Sequence, residues 1–312
     1  MGHNAPMRLG VSLRSSFDVD ARTGARWMVE RATVAAGAGL DWLFVGDHHA
    51  TGPGSYYQNV PILGRLLAAW GDRPAGALFL LPLWHPVLLA EQVGTLAAVA
   101  EGPFVIQTAI GGGRPQFDGL GVPLRGRAER FEHALDALRR LLAGEEVSDP
   151  DGVTGHTFER ARIAPVPVEP VDIWIGGTAP TAIDRAVRLG DAWLANADAV
   201  PDDARKQAVI HSECVARHGR TPRVVAIRRD VHVDRDARTA ASVAEPVIAG
   251  GYRGFRPEAF VWGDVEQVAE QLRGYAAMGY SAVIVRQLAA EQADALRSIE
   301  LLGEVARLVA DA

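Results

Sequence analysis

Eight short apolar runs alternate with helical stretches along the chain, and that alternation limits the possible folds more than any other feature. RLGVSL (8–13), DWLFVG (41–46), PAGALFLLP (74–82), PFVIQTAIGGG (103–113), VDIWIGG (171–177), DAWLAN (191–196), RVVAIRRDVHV (223–233) and YSAVIVRQL (280–288) each read as a strand. Amphipathic stretches separate them. In GRAERFEHALDALRRLLAG, residues Phe131, Leu135, Leu138 and Leu142 recur at helical spacing. In GDVEQVAEQLRGYAAMG, Asp264 and Gln267 stand at the spacing of a capping box. Strands that read as continuous apolar runs are buried on both faces, as parallel strands are. The pattern predicts an α/β fold: a single (β/α)8 TIM barrel over residues 1–312, with excursions at about 111–170 and 234–260. An open doubly wound sheet is the alternative. SDPDGVTGHTFERARI, within the first excursion, reads as a hairpin or an irregular loop turned at Asp151-Gly152.

Charge and cysteine usage exclude several classes of function. The net charge of −6 is spread without blocks of one sign, so neither a nucleic-acid footprint nor a polybasic membrane patch is expected. The single cysteine, Cys214, permits no intrachain disulfide, and it lies in a helical stretch where a packed thiol is expected. The N-terminus carries no apolar signal segment and no run reaches membrane-spanning length, so a cytoplasmic location is expected.

In a closed parallel barrel the reacting groups lie where the strands end. Asp47, His48 and His49 follow the second strand, and Trp84 and His85 follow the third. Gln107 and Thr108 close the fourth, Gly176, Gly177 and Thr178 follow the fifth, and Arg286 and Gln287 sit in the eighth. The glycines at 176–177 with Thr178, Pro180 and Thr181 have two readings. Thr178 suits an N-cap and Pro180 a first turn, while a glycine turn feeding a helix also presents N–H groups to a phosphate. Neighbouring side chains on an extended segment point to opposite sides, so His48 and His49 do not readily share one metal ion, and no metal site is expected. One of the two histidines facing a pocket as a proton donor or hydrogen-bonding group fits better. His85, just before Pro86, is either a cap or a base.

LDWLFVGDHHATGP, LFLLPLWHPVLLAEQVGTLAAVAEG and VDIWIGGTAPTAIDRAVRLGDAWLAN resemble the luciferase-like monooxygenase superfamily, the barrel oxidoreductases that use reduced FMN or the deazaflavin F420. VWGDVEQVAEQLRGYAAMGYSAVIV resembles that family's penultimate helix and last strand. The resemblance implies that His48 sits over the flavin ring and that Asp47 orients it or tunes its pKa. It implies a bulge, sometimes with a cis peptide, at Leu80, Leu81 and Pro82 that supports the ring from behind. It places Gln107 and Thr108 against the ring or phosphate, and Gly176, Gly177, Thr178 and Thr181 around the phosphate. His49, Tyr56, Tyr57 and Trp84 would line a substrate pocket, although aromatic core packing explains the last three equally well. GDHH stands between the Glu-His-His of FMN members and the Asp-His of F420 members, and Gly102-Pro103 replaces the Gly-Arg that usually introduces the fourth strand.

The implied activity is that of a flavin-dependent oxidoreductase: a two-component monooxygenase using FMNH2 and O2 on a small organic substrate. A separate flavin reductase would supply the FMNH2, since no GxGxxG unit follows a strand to bind a nicotinamide cofactor. F420-dependent hydride transfer is the alternative, and a non-catalytic flavin-binding relative or a metal-dependent hydrolase are others. The family resemblance also implies a homodimer.

Overall fold

The strands are short, and several end where glycine or a charged residue follows: Arg14 after β1, Gly46 after β2, Gly177 after β7 and Asp234 after β9. The computed structural model describes residues 6–50, 52 and 54–310; Thr51 and Pro53, in the tract after His49, lie outside it. In chain order the elements are β1 (Arg8–Leu13), α1 (Ala21–Gly37), β2 (Trp42–Val45), α2 (Asn59–Trp70), β3 (Ala75–Leu80), α3 (Pro86–Val99), β4 (Phe104–Ala109), α4 (Arg114–Gly119) and α5 (Arg127–Leu142). Then come β5 (Val147–Asp149), β6 (Phe158–Ala161), β7 (Asp172–Gly176), α6 (Pro180–Leu189), β8 (Ala192–Ala195) and α7 (Pro201–His218). The chain ends with β9 (Val224–Val233), α8 (Ala237–Ala249), β10 (Val261–Gly263), α9 (Val265–Ala276), β11 (Ala282–Gln287) and α10 (Gln292–Ala310).

The fold is a closed eight-stranded parallel barrel with flanking helices, and all eight predicted strands are present. Short β10 adds beside the end of β9, and β5 with β6 forms a separate antiparallel hairpin, as the turn at Asp151-Gly152 predicts. Three helices occupy stretches in which sequence patterning assigns no element: α2, α4 and α8. Asp264 and Gln267 form the expected capping box of α9.

Residue contacts divide the chain into two compact units. The larger holds the chain up to Arg14, Arg26–Phe44, and everything from Trp174 onward. Its strands pair in the order β10-β9-β11-β1-β2, with β8 on the other side of β9 and β7 beside β8. Trp174 packs edge-on against Trp42 with centroids 5.3 Å apart, and Phe44 lies 5.3 Å from the same indole. Gly10 is required here: a Cβ on it would stand 2.9 Å from both Ile284 Cδ1 and Trp42 Cβ, so any larger residue would push the β1–β11 pair apart.

The larger unit also buries a histidine that should set part of the acid stability. His211 on α7 stacks on Trp193 with centroids 5.0 Å apart and 14° between planes, and its Nε2 has no hydrogen-bond partner. Burial brings its pKa down to about 4. An unfolded chain holds this imidazole near 6.5 and so binds the proton first. The stability contributed is complete above pH 6.5 and is lost as pH falls toward 4, at an order of about 2–3 kcal/mol. His211→Gln should therefore narrow the gap between thermal midpoints measured at pH 7 and pH 4.5. An unchanged gap would assign the acid sensitivity elsewhere.

The smaller unit holds residues 15–25 and 45–173. In it β3 pairs with β4, from Ala75 opposite Phe104 to Leu80 opposite Ala109. Leu81–Leu83 turn into a short 3-10 segment on which α5 packs, with Leu81 buried. No cis peptide occurs at Leu80–Pro82; among the described residues the cis bond is Ala164-Pro165. The turn, with Pro82 inside it, makes the reversal that a bulge would otherwise provide.

Candidate active site

In the smaller unit the exit of β2 is built around one carboxylate. Asp47 is 6% exposed. Its Oδ2 accepts the Leu80 backbone N–H at 2.8 Å and the Trp84 indole N–H at 2.9 Å, and its Oδ1 accepts from Asn59 Nδ2 at 3.3 Å. His49 Nε2 lies 3.0 Å from the same Oδ1. Asn59, at the start of α2, also donates to Leu78 O at 2.7 Å. One buried charge thus ties β2, α2, the end of β3 and the turn after it, and several donors compensate its desolvation.

The partner of Asp47 is His49 rather than His48. Residues two apart on an extended segment share a side, which places positions 47 and 49 together and turns 48 away. The expected role of Asp47 in orienting His48 is therefore not a contact, although its negative charge still acts on that imidazole. The His48 pKa is lowered, first by burial, then by His49, with Asp47 pulling the other way. The His48 ring lies 5.5 Å from the Tyr56 ring, and its backbone carbonyl accepts from Gln58 Nε2 at 3.1 Å. Among the described residues the imidazole itself makes no hydrogen bond.

His49 is held on three sides. Its backbone N–H donates to Gln116 Oε1 on α4 at 2.9 Å, its ring meets Trp84 edge-on at 5.6 Å, and Nε2 faces Asp47. Trp84 packs edge-on against Phe79 at 5.3 Å. Tyr57 is spent on packing: its hydroxyl donates to Ala21 O at 2.6 Å and its ring sits 6.3 Å from Phe17. On β4, the Thr108 hydroxyl donates to Phe79 O at 2.8 Å, whereas Gln107 is buried with Nε2 unpartnered. A buried amide N–H without an acceptor is the feature a heteroaromatic ring rich in carbonyl and nitrogen acceptors would satisfy. His85 is a cap: its Nδ1 accepts the Val87 N–H at 3.2 Å, and its ring lies 4.6 Å from that of His156. Asn59 and Gln116 were not anticipated. Both are polar residues in the first turn of a helix, and only their burial marks them. A cavity of about 350 Å³ on this unit, lined by Leu142, Val166, Pro167, Val168 and Ile173, contains none of these residues.

In the larger unit the turn after β7 departs from its expected form in one respect. The N-cap of α6 is Ala179, not Thr178, and it makes no side-chain cap. A residue preceding proline is pushed to extended backbone, and Ala179 has φ −66° and ψ 145°, so the helix cannot begin earlier. Pro180 takes the first helical position, as expected, which makes Thr181 the first residue of α6 with an N–H to offer. Gly177 has φ 150°, and a Cβ there would stand 2.6 Å from Ala182 Cβ. Its N–H donates to Leu194 O at 3.1 Å and its carbonyl accepts from Trp193 Nε1 at 2.8 Å. Any anion at this turn therefore meets the amides of Thr178 and Thr181 rather than that of Gly177.

A family model described as luciferase-like monooxygenase matches residues 7–259. The FMNH2-dependent dimethylsulfone monooxygenase of Pseudomonas fluorescens is 25% identical over 193 residues, 60% of this chain and 52% of that protein. The F420-dependent glucose-6-phosphate dehydrogenase of Beutenbergia cavernae is 30% identical over 193 residues, 58% of this chain and 56% of that one. The matches thus span about half the length of these relatives. The crystal structure of monooxygenase RslO1 from Streptomyces bottropensis superposes with a TM-score of 0.81 at 17% identity, covering 96% of this chain and 98% of the other.

Proposed function

The chain belongs to the luciferase-like monooxygenase family, and from that membership we propose that it is a reduced-flavin monooxygenase, taking FMNH2 from a separate reductase to oxygenate a small organic substrate with O2. The observation that carries this reading is the exit of β2, where Asp47 is fully engaged by its neighbours and the adjacent His48 imidazole is left without a hydrogen bond. A scaffold carboxylate beside an uncommitted imidazole is a proton-handling arrangement. Bound reduced flavin would supply the electrons and the centre at which oxygen is activated. His48, its pKa lowered by burial, would be neutral near pH 7 and able to take a proton from substrate or cofactor. Gln107 would donate its orphaned N–H to a ring acceptor, and Trp84 and Leu81 would exclude water.

F420-dependent hydride transfer is the second reading, favoured by the Asp47-His48 pair and by the glucose-6-phosphate dehydrogenase relative. Titrating the purified protein with FMN, FMNH2 and F420 side by side tests both. Tight binding of FMNH2 with substrate-dependent oxygen uptake supports the first, and F420 binding without oxygen uptake supports the second. Binding of none of the three sinks the flavoenzyme reading. We also propose a homodimer, which the mass in solution tests.

The turn at 176–181 is proposed as a phosphate-binding element in its own right. Gly177→Val should weaken FMN binding more than riboflavin binding. It should also lower thermal stability without any cofactor, by about 1–3 kcal/mol, because the new Cβ meets Ala182 and the φ suits glycine. Equal losses for FMN and riboflavin would remove the phosphate from this turn.

A further inference from the structure

We propose that Gln58 and Gln116 are positioning residues for His48, holding the two ends of the peptide unit between His48 and His49 and so fixing the direction in which the His48 imidazole points. All these residues belong to the smaller unit.

The two glutamines come from different elements and meet on one peptide. Gln58, the N-cap residue of α2, donates from Nε2 to the His48 carbonyl at 3.1 Å. Gln116, on α4, accepts the His49 N–H with Oε1 at 2.9 Å. The His48 C=O and the His49 N–H are the acceptor and the donor of a single planar unit, which is therefore gripped at both ends. Each glutamine supplies the half of its amide that the peptide lacks: the carbonyl needs a donor and the N–H needs an acceptor. The Gln58 side chain caps nothing in its own helix, which leaves it to reach back to His48. The next residue, Asn59, donates to Asp47. His48 Cα thus lies between a residue whose carboxylate is anchored and a peptide that cannot turn. Its Cβ direction is fixed, and only χ1 and χ2 remain to the ring.

The surroundings press the same segment into place. Helix α4 meets it at a second point, since a Cβ on Gly119 would stand 2.5 Å from Ala50 Cβ. Phe117, fully buried, anchors that short helix beside Gly111, where a Cβ would meet its ring at 3.2 Å. Ala50 has φ 49°, in the left-handed region that alanine seldom adopts. A strained residue directly after a doubly held peptide marks a backbone path imposed by its neighbours. On the other side the His48 ring lies 5.5 Å from that of Tyr56, whose hydroxyl fills the space beside Gly46. The two grips differ in weight. Gln116 is 6% exposed, whereas Gln58 is exposed and its bond competes with water, so Gln116 carries more of the hold.

The grip itself is independent of the flavin reading; its effect on turnover rests on that reading, and the test separates the two. Histidine-labelled protein without cofactor gives the His49 amide and the His48 ring signals by NMR, each assigned by its loss when that histidine is replaced. Gln116→Met, which keeps the length but not the carbonyl, should move the His49 amide proton upfield. It should also bring the His48 titration up toward the ordinary imidazole range, because a released ring escapes desolvation and His49, with Asp47 acting the other way. In the holoenzyme, assayed with the reduced cofactor identified by titration, the same variant should lower kcat about tenfold or more, the scale of a misplaced reacting group, and change the substrate KM less. Gln58→Met should act in the same direction by a smaller factor.

Rescue should be crossed between the two positions. At 116 a glutamate keeps an acceptor and should recover most of the loss, whereas a lysine should not. At 58 a lysine keeps a donor and should recover it, whereas a glutamate turns a carboxylate on the His48 carbonyl and should not. An effect of charge alone would rank glutamate and lysine alike at both positions, because both adjoin the same histidine. Gly119→Ala, which displaces α4 with both glutamines in place, repeats the release should Gln116→Met fail to fold. An unmoved His49 amide in Gln116→Met or Gly119→Ala, an unmoved His48 titration, or one ranking of glutamate and lysine at both positions would overturn the proposal. The expected NMR changes with wild-type turnover would leave the grip standing and remove His48 from the proposed chemistry.

Discussion

His48→Ala should lower turnover about 10²-fold or more while leaving the thermal midpoint nearly unchanged. The size is that of a removed proton-transfer group. The small effect on stability follows from the structure: the side chain is exposed and the imidazole makes no hydrogen bond among the described residues, so its removal orphans nothing. Partial desolvation and the nearby His49 lower its pKa, with Asp47 opposing them, so the wild-type rate should fall as acid protonates the imidazole, and that limb should vanish in the variant. Steady-state rates across pH 5–8 with the identified reduced cofactor provide the check. Turnover equal to wild type would take His48 out of the chemistry.

Asp47→Ala is expected to act the opposite way, on the scaffold. It strips the acceptor from Leu80 N–H, Trp84 Nε1 and Asn59 Nδ2 together, and leaves His49 facing a void. Orphaning buried donors at this density should cost about 3–5 kcal/mol, enough to lower the thermal midpoint by roughly 10 °C in a chain of this size. Asp47→Asn should lose less, because an amide oxygen still accepts two of these bonds. A melt of Asp47→Ala within 2 °C or so of wild type would show that the hydrogen bonds to Asp47 do not hold the exit of β2.

The barrel was legible because most of its strands are buried on both faces and read as continuous apolar runs; Trp42–Val45 is buried at every position, and β9, with Arg228 to Asp230, is the chief exception. Helix α2 was not, since NVPILGRLLAAW contains the helix-disfavouring Pro61 and Gly64 and has one charged residue, Arg65, to mark its outer face, although its buried residues Ile62, Leu63, Leu66, Leu67 and Trp70 do recur at helical spacing. The three-residue β10 is too short to carry a pattern. At the site, the argument that adjacent histidines face apart holds, yet the complementary inference, that Asp47 and His49 face together, was available from the same geometry. Asn59 and Gln116 depend on long-range contacts, 12 and 67 residues from their partners, which no local pattern encodes. The start of α6 moved by one residue because Pro180 constrains Ala179, a local rule stronger than the capping preference of Thr178.

The hairpin of β5 and β6 meets α3 through His85, whose ring rests against His156 and lies 5.6 Å from Phe158. Gly94, midway along α3, lies so close to the Pro165 carbonyl that a methyl group there would not fit. Two separate points therefore clamp the insertion to a helix of the barrel wall. Sequence drift can lengthen or shorten its tip, at 150–157, as long as both clamps survive. Homologues in which position 94 carries a side chain should have rebuilt or discarded the whole insertion rather than trimmed it.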